Sequence, residues 1–203
     1  MFSFEDFRRR AQSNLLKAPS ADWDRSDDDM NEKARLIPEG TQPTAAAVLI
    51  PIVKRAEPMV LLTQRHSGLA KHAGQIAFPG GRVDAGETLL EAALREAEEE
   101  IGLARGFVSP KGFLGNYLTV TNYLVTPVVA EVEPGFALAL QTDEVDEAFE
   151  VPLAFLMEVS NCQRHAREWK GLKRHYYVYQ FGDRHIWGAT AGMIRNLHDT
   201  LYC

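Results

Sequence analysis

GRVDAGETLLEAALREAEEEIGL, residues 81–103, is the stretch that decides the fold of this chain. Apolar residues recur at helical spacing after a glycine-rich loop, which predicts an amphipathic helix. On that helix Glu96, Glu99 and Glu100 stand at i, i+3 and i+4, so their side chains are surface neighbours. We expect the carboxylates to border an apolar face that packs on the core and consists of Leu89, Leu90, Ala93, Leu94, Ala97 and Ile101.

Three neighbouring carboxylates repel one another unless a cation lies between them. Mg²⁺ and Mn²⁺ prefer oxygen ligands, so the spacing predicts a site for a hard divalent metal. Arg95 precedes Glu99 by one turn and is expected to orient it through an i,i+4 ion pair. A bare run of glutamates is also typical of an ordinary acidic surface helix, so the surrounding residues must decide between the two interpretations.

Those surrounding residues complete a known motif. Every fixed position of the Nudix box is occupied, namely by Gly81, Glu87, Arg95, Glu96, Glu99, Glu100 and Gly102. The chain therefore resembles a Nudix hydrolase. The resemblance implies an α/β/α sandwich with a mixed β-sheet, and hydrolysis of a diphosphate linkage with Mg²⁺ or Mn²⁺ as cofactor.

The resemblance also implies roles for individual residues. Glu96 and Glu100 are expected to be the principal metal ligands, and Glu99 a third ligand or the base that activates water. A backbone carbonyl at Gly81 is expected to complete the metal shell. Glu144 lies in a later acid-rich loop and is either a further ligand or base, or an ordinary exposed acid.

A second resemblance begins upstream, in LLTQRHSGLAKHAGQIAFPGG at residues 61–81. This segment is similar to the one that distinguishes the coenzyme A pyrophosphatase branch of the Nudix hydrolases. His66 stands where that branch usually has a small residue, and Ala70 where it usually has arginine. The similarity implies cleavage of coenzyme A or its thioesters to 3′,5′-ADP and 4′-phosphopantetheine. We expect four basic residues near the box to contact the substrate: Arg65, Lys71, His72 and Arg82.

Two other functions remain open at this point. One is a broader Nudix diphosphatase that acts on a dinucleotide, ADP-ribose or a nucleotide sugar. The other is a Nudix domain that binds its ligand without hydrolysis, although every box carboxylate is present. Metal-dependent turnover separates the last from the enzymes, and product identity separates the two enzymes.

Composition predicts a single catalytic domain with an extension. With 203 residues, of which 45% are apolar, the chain can bury a sizeable core. We expect a helix and polar arm at 1–42, and the Nudix hydrolase domain with a C-terminal helix at 43–203.

The order of apolar runs predicts a helix at 2–16, strands at 45–53, 59–65, 113–120, 123–132 and 145–151, a helix at 152–159, a hairpin of 176–181 with 184–187, and a closing helix at 189–202. This order is typical of an α/β fold with a mixed sheet.

Charge and cysteine content limit partners and location. A net charge of −6 argues against a nucleic-acid surface, whereas a small phosphorylated substrate remains compatible. Two cysteines are too few for a disulfide framework, so a reducing cytoplasm is expected. No apolar run of about 18 residues is present, so no membrane partner is expected. The oligomeric state stays open, with a homodimer as the candidate assembly.

Overall fold

A nine-stranded mixed sheet organises the protein. The computed structural model describes residues 2–31, 36, 40, 42–169 and 171–203. The strands of the main sheet are β1 (Trp23–Ser26), β2 (Thr44–Lys54), β3 (Pro58–Arg65), β4 (Ile76–Ala77), β5 (Gly80–Arg82), β6 (Val108–Phe113), β7 (Asn116–Leu118), β8 (Tyr123–Val132) and β9 (Val145–Pro152). A second sheet is antiparallel and contains β10 (Cys162–Trp169), β11 (Leu172–Phe181) and β12 (Arg184–Trp187).

The long strand β2 lies at the centre of the main sheet. It pairs in parallel with β8 from Thr44↔Tyr123 to Val53↔Val132, and antiparallel with β3 through the turn at residues 55–57. The remaining strands continue outward in the order β1-β7-β8-β2-β3-β4, with β5 on β2, β6 on β8 and β9 on β3. Strands β2 and β8 are largely buried because both faces of the sheet are covered.

Helices cover the two faces of the sheet. Helix α2 (Leu89–Ile101) packs on one face, where the core includes Leu49, Leu61 and Val128. Helices α1 (Phe4–Asn14), α3 (Leu153–Met157) and α4 (Ala189–Leu201) contribute to the core on the other face. The expected α/β/α sandwich with a mixed sheet is therefore confirmed. Within the described residues, no helix is both long and apolar enough to cross a membrane.

Helix α1 is bound to the sheet by apolar packing and by charge. Ser3 caps it by accepting a hydrogen bond from the Asp6 amide. Phe7 is fully buried, and Arg8 hydrogen-bonds both carboxylate oxygens of Glu131 in β8. Lys111 lies 3.2 Å from the same buried carboxylate, so Glu131 is ionised between two cations, and the Arg8 hydrogen bond lowers its pKa.

Several elements expected from sequence are confirmed, with shifted ends. They are the helices at 2–16 and 189–202, the strands at 45–53, 59–65, 123–132 and 145–151, and the hairpin that turns at Gly182. The expected strand at 113–120 was wrong in its extent, since β6 ends at Phe113 and β7 begins at Asn116. The glycine-rich loop predicted before α2 was wrong at its start, because Gly80 and Gly81 belong to β5, whose backbone pairs with residues 46–48 of β2.

Strands β1, β4, β5 and β10 were not predicted, nor was most of β6. β1 lies in the segment that reads as a polar arm, β4 has only two residues, and β10 carries few apolar residues. Of that arm, residues 32–35, 37–39 and 41 lie outside the described residues. The division between an extension at 1–42 and a domain at 43–203 stays a prediction.

Replacing Phe7 tests whether helix α1 is part of the cooperative core. Phe7→Ala should lower the free energy of unfolding by about 3–5 kcal/mol, because it removes a fully buried aromatic ring. Urea unfolding followed by circular dichroism measures the change. Arg9→Ala on the same helix is the control, since Arg9 is 67% exposed, and it should change stability by about 0.5 kcal/mol or less. Equal stabilities of the two variants would contradict this packing.

Candidate active site

Helix α2 is fixed at both ends, which positions its carboxylates. Thr88 and Glu91 form a capping box at its start, with the Glu91 amide 3.2 Å from the Thr88 hydroxyl and the Thr88 amide 2.8 Å from the Glu91 carboxylate. Gly102 ends the helix in the left-handed conformation, at φ 68°. The buried face consists of Ala92, Ala93, Ala97, Glu100 and Ile101, so a carboxylate belongs to the face that meets the sheet.

Strand β5 lies against the carboxylates of α2. The Gly80 amide donates a hydrogen bond of 3.1 Å to Glu100 Oε2. The carboxylate of Glu96 lies so close to the backbone of Gly81 that a Cβ at this position would overlap it. Gly81 is therefore required for close approach of a carboxylate to the chain, and its backbone lies beside the acidic residues as the sequence led us to expect.

Arg95 binds more carboxylates than the sequence suggested. The expected i,i+4 pair with Glu99 is present at 2.9 Å. The guanidinium also binds Glu87 at 2.9 and 3.0 Å and Glu96 at 3.0 Å, and it donates to the carbonyl of Arg82. Three acids and a backbone carbonyl therefore share one guanidinium. The hydrogen bond from Arg95 lowers the pKa of Glu87 and raises that of Arg95 itself.

Burial raises the pKa of two carboxyls on α2. It raises the pKa of Glu100 to about 7, although the Gly80 amide and Arg65 oppose this rise. Burial also raises the pKa of Glu96, again against the effect of Arg95. A buried carboxylate without a close cation is unfavourable. Glu100 therefore lies where a cation would stabilise the charged form.

An acidic pocket of about 640 Å³ opens over these side chains and is lined by Arg82, Glu96, Glu99, Glu100, Gln141 and Glu144. Two backbone hydrogen bonds bring Glu144 there. The Gln141 amide donates to the carbonyl of Glu100, and the amide of His66 donates to the carbonyl of Glu144. Sequence reasoning named Glu144 but overlooked Gln141, because no motif distinguishes an amide in a loop.

The four basic residues expected at the substrate lie in two places. Arg65 lies 3.7 Å from Glu100, and its buried Nε has no hydrogen-bond partner among the described residues. Arg82 lines the acidic pocket, and its guanidinium donates to the hydroxyl of Tyr123 at 2.6 and 3.1 Å. Lys71 and His72 instead line a second cavity, described further below. Of these four residues, Arg65 and Arg82 are thus the two that lie beside the carboxylates.

The donors in the acidic pocket fit a hard divalent cation. All are carboxylate or amide oxygens, which Mg²⁺ and Mn²⁺ prefer. The oxygens of Glu96, Glu99 and Glu100 do not all lie within 4.8 Å of one another. Glu99, whose side chain is 61% exposed, pairs with Arg95 at 2.9 Å. In the described part of the chain, three possible metal-ligating atoms lie that close together at His198, Asp199 and Cys203. There, however, Asp199 already pairs with Arg25 and Arg195.

Comparisons with known proteins bear directly on this site. A family model of the NUDIX domain matches residues 43–174. The uncharacterized Nudix hydrolase NudL of Escherichia coli O7:K1 is 44% identical over 153 residues, which cover 75% of this chain and 80% of that protein. NudL of Cronobacter sakazakii is 42% identical over 161 residues, with the same coverage.

Solved structures support the same fold. The structure of DR0079 from Deinococcus radiodurans superimposes with a TM-score of 0.51 at 13% identity, covering 94% of this chain and 98% of that one. A MutT/nudix family protein from Enterococcus faecalis gives a TM-score of 0.51 at 17% identity, covering 81% of this chain and 64% of that one. At these identities the likeness concerns the fold alone.

The raised pKa of Glu100 predicts how stability depends on pH when no divalent metal is present. Its folded pKa of about 7 lies above the unfolded value of 4.5. The protonated Glu100 carboxyl therefore stabilises the folded state below pH 4.5. This contribution to the free energy of unfolding is lost as the pH rises through 7. Between pH 5 and 8 in EDTA, wild-type unfolding free energy should fall relative to Glu100→Gln by on the order of 2 kcal/mol.

Urea unfolding at four pH values measures this difference, and Mg²⁺ at pH 8 should then stabilise the wild type more than the variant. Glu98→Gln, on the exposed side of the same helix, is the control and should follow the wild type. Parallel pH profiles for the wild type and Glu100→Gln would show that Glu100 is not the titrating group.

Proposed function

This chain belongs to the Nudix family of hydrolases, which cleave diphosphate linkages, and we propose that its substrate is coenzyme A or a coenzyme A thioester. The products would be 3′,5′-ADP and 4′-phosphopantetheine. The observation that carries the proposal is the segment at 61–81. It resembles the coenzyme A pyrophosphatase branch, and it connects the basic residues Arg65, Lys71 and His72 to the acidic pocket.

The proposed metal site uses Glu96 and Glu100 as ligands, with Glu99 as a third ligand or as the base. The backbone carbonyl of Gly81 would complete it, and the close approach of Glu96 to that backbone supports this role. When bound, Mg²⁺ or Mn²⁺ supplies a Lewis acid that neutralises phosphate oxygens. The loop acid Glu144 is the alternative base, because it lines the same pocket and is exposed to water.

The residues of the chain have separate tasks in such a reaction. Arg95 holds Glu96 and Glu99 in place through hydrogen bonds, so it is a positioning residue. Arg82 is near enough to the carboxylates to bind a phosphate oxygen that faces them. Arg65 lies 3.7 Å from Glu100 and its side chain is 30% exposed, so its guanidinium can contact an anionic substrate there.

A broader diphosphatase is the second candidate function. The observation that favours it is Ala70, which stands where the coenzyme A branch usually has arginine. Products released from coenzyme A, NADH, ADP-ribose and nucleotide sugars, identified by mass spectrometry, decide between the two.

We also propose a cytoplasmic location, which the two free cysteines, Cys162 and Cys203, support.

Glu100→Gln tests the metal ligand. The change removes one ligand charge with almost no change of volume, so kcat in saturating Mg²⁺ should fall by at least about a hundredfold while the fold stays intact. Steady-state hydrolysis of coenzyme A measures kcat, and circular dichroism checks the fold. The control is Glu98→Gln, because Glu98 pairs with Arg105 outside the pocket, and it should retain wild-type activity. A near-normal rate for Glu100→Gln would exclude Glu100 as a ligand.

Dephospho-coenzyme A tests the substrate. Coenzyme A carries a 3′-phosphate that dephospho-coenzyme A lacks, and Lys71 is an exposed cation at the second cavity. We expect a higher kcat/KM for coenzyme A, and we expect Lys71→Ala to reduce this preference because a charge-assisted hydrogen bond is lost. Lys17→Ala, a surface lysine on the N-terminal arm, serves as the control. Preference for dephospho-coenzyme A, ADP-ribose or NADH would favour the broader diphosphatase.

A further inference from the structure

A second cavity, also of about 640 Å³, lies apart from the acidic pocket. Small-molecule sites in proteins usually occupy roughly 300–1,000 Å³, so this cavity can enclose most of a nucleotide. It lies between the second sheet, the start of α4, the loop at 71–75 and the segment at 25–30. Its residues Lys71, His72 and Gln75 belong to the segment at 61–81, but nothing in the sequence predicted the aromatic wall.

One wall of the cavity is lined by flat side chains of the second sheet. The rings of Tyr176 in β11 and Trp187 in β12 lie edge to face, with their centroids 5.7 Å apart and their planes at 64°. The guanidinium of Arg167 in β10 lies 4.8 Å from the Trp187 ring centroid and 5.9 Å from that of Tyr176. Aromatic and guanidinium planes of this kind stack on nucleobases, because every base presents a π-face.

The opposite wall is secured by a buried polar cluster. Tyr117 donates a hydrogen bond to Asp27, and Arg174 donates to Asp28 at 2.6 Å. The Asn31 side chain donates to the carbonyl of His175 and accepts from its amide. These contacts attach the segment at 25–31 to β11 and so fix the width of the cavity.

The lining of the cavity is rich in cations although the whole chain carries a charge of −6. Among the described residues, the charged side chains that line it are Arg25, Lys71, Arg167, Arg174 and Arg195, against Asp27 and Asp29. Arg25 and Arg195 share Asp199, and Arg174 binds Asp28. Lys71 forms no ion pair with a described residue. A ligand with an anionic group beside Lys71 would therefore meet a positive charge that no described acid compensates.

A single hairpin connects this cavity to the acidic pocket. The amide of Arg65 donates to the carbonyl of Gln75, and the amide of Gly74 donates to the carbonyl of Arg65. Gln75 lines the cavity, whereas the guanidinium of Arg65 lies 3.7 Å from Glu100. An extended ligand can therefore follow this hairpin from one site to the other.

From the aromatic wall, the lysine that pairs with no described acid and the shared hairpin, we infer that the second cavity binds the 3′-phosphorylated adenosine end of the substrate. The Trp187 ring stacks on the adenine, with Tyr176 and Arg167 beside it, and Lys71 binds the 3′-phosphate. This inference rests on the proposed function. A free nucleotide that binds separately from the substrate can present the same adenine and phosphate groups. The experiment must therefore distinguish a free nucleotide from the adenosine end of the substrate.

Equilibrium binding without turnover tests the site. Isothermal titration calorimetry in EDTA compares adenosine 3′,5′-bisphosphate with adenosine 5′-monophosphate. Trp187→Leu should weaken both nucleotides about tenfold or more, because stacking is lost. Lys71→Ala should weaken the bisphosphate about tenfold and leave the monophosphate within about twofold. Trp23→Leu is the matched control, because Trp23 is 54% exposed and does not line the cavity; it should change neither affinity.

Lys71 is exposed, so Lys71→Ala should fold normally. The test therefore remains valid even if Trp187→Leu is unstable. Unchanged bisphosphate affinity in Lys71→Ala, with the protein folded, would overturn the inference. So would noncompetitive inhibition of coenzyme A hydrolysis by the bisphosphate, since that would indicate a separate nucleotide. Competitive inhibition, with a raised KM in Lys71→Ala, supports it. If the wild type does not cleave coenzyme A at all, it is the proposed function that fails.

Discussion

The guanidinium of Arg95 is the interaction on which the rest of the site depends. Helix α2 carries Glu96, Glu99 and Glu100 close together, and like charges at this spacing oppose helix formation. Arg95 binds two of these acids as well as Glu87 in the preceding loop and the carbonyl of Arg82 in β5. The same group therefore offsets the repulsion and holds strand, loop and helix together. Arg95 does not bind Glu100, so the negative charge of Glu100 must be stabilised by other groups in the acidic pocket.

The sequence predicted this helix well because its signals are local. Helical periodicity and the box spacing identified α2, and the i,i+4 rule found the contact of Arg95 with Glu99. The contact of Arg65 with Glu100 arises only from tertiary packing, so no local rule anticipates it. Strand β10, with the sequence CQRHAREW, lacks the apolar alternation of a half-buried strand and is defined by its pairing with β11.

The two cavities differ in chemistry although one hairpin joins them. The pocket over α2 is lined by carboxylates and suits a metal with phosphate, whereas the second cavity combines aromatic rings with cations. Both use elements that Nudix-box spacing does not specify, namely the loop at Glu144, the second sheet and the segment at 25–31. Substrate choice can therefore change through these elements while the helix that carries the acids stays the same.

The first and last helices of the described chain lie side by side. Arg10 in α1 donates to the carbonyl of Leu201, and its guanidinium lies 4.7 Å from the ring centroid of Tyr202. Phe7 and Leu201 share one apolar core. On the ribosome, α1 emerges long before α4, so this core stays open until α4 has been synthesised. The nascent chain must therefore keep Phe7 from misplaced contacts until then.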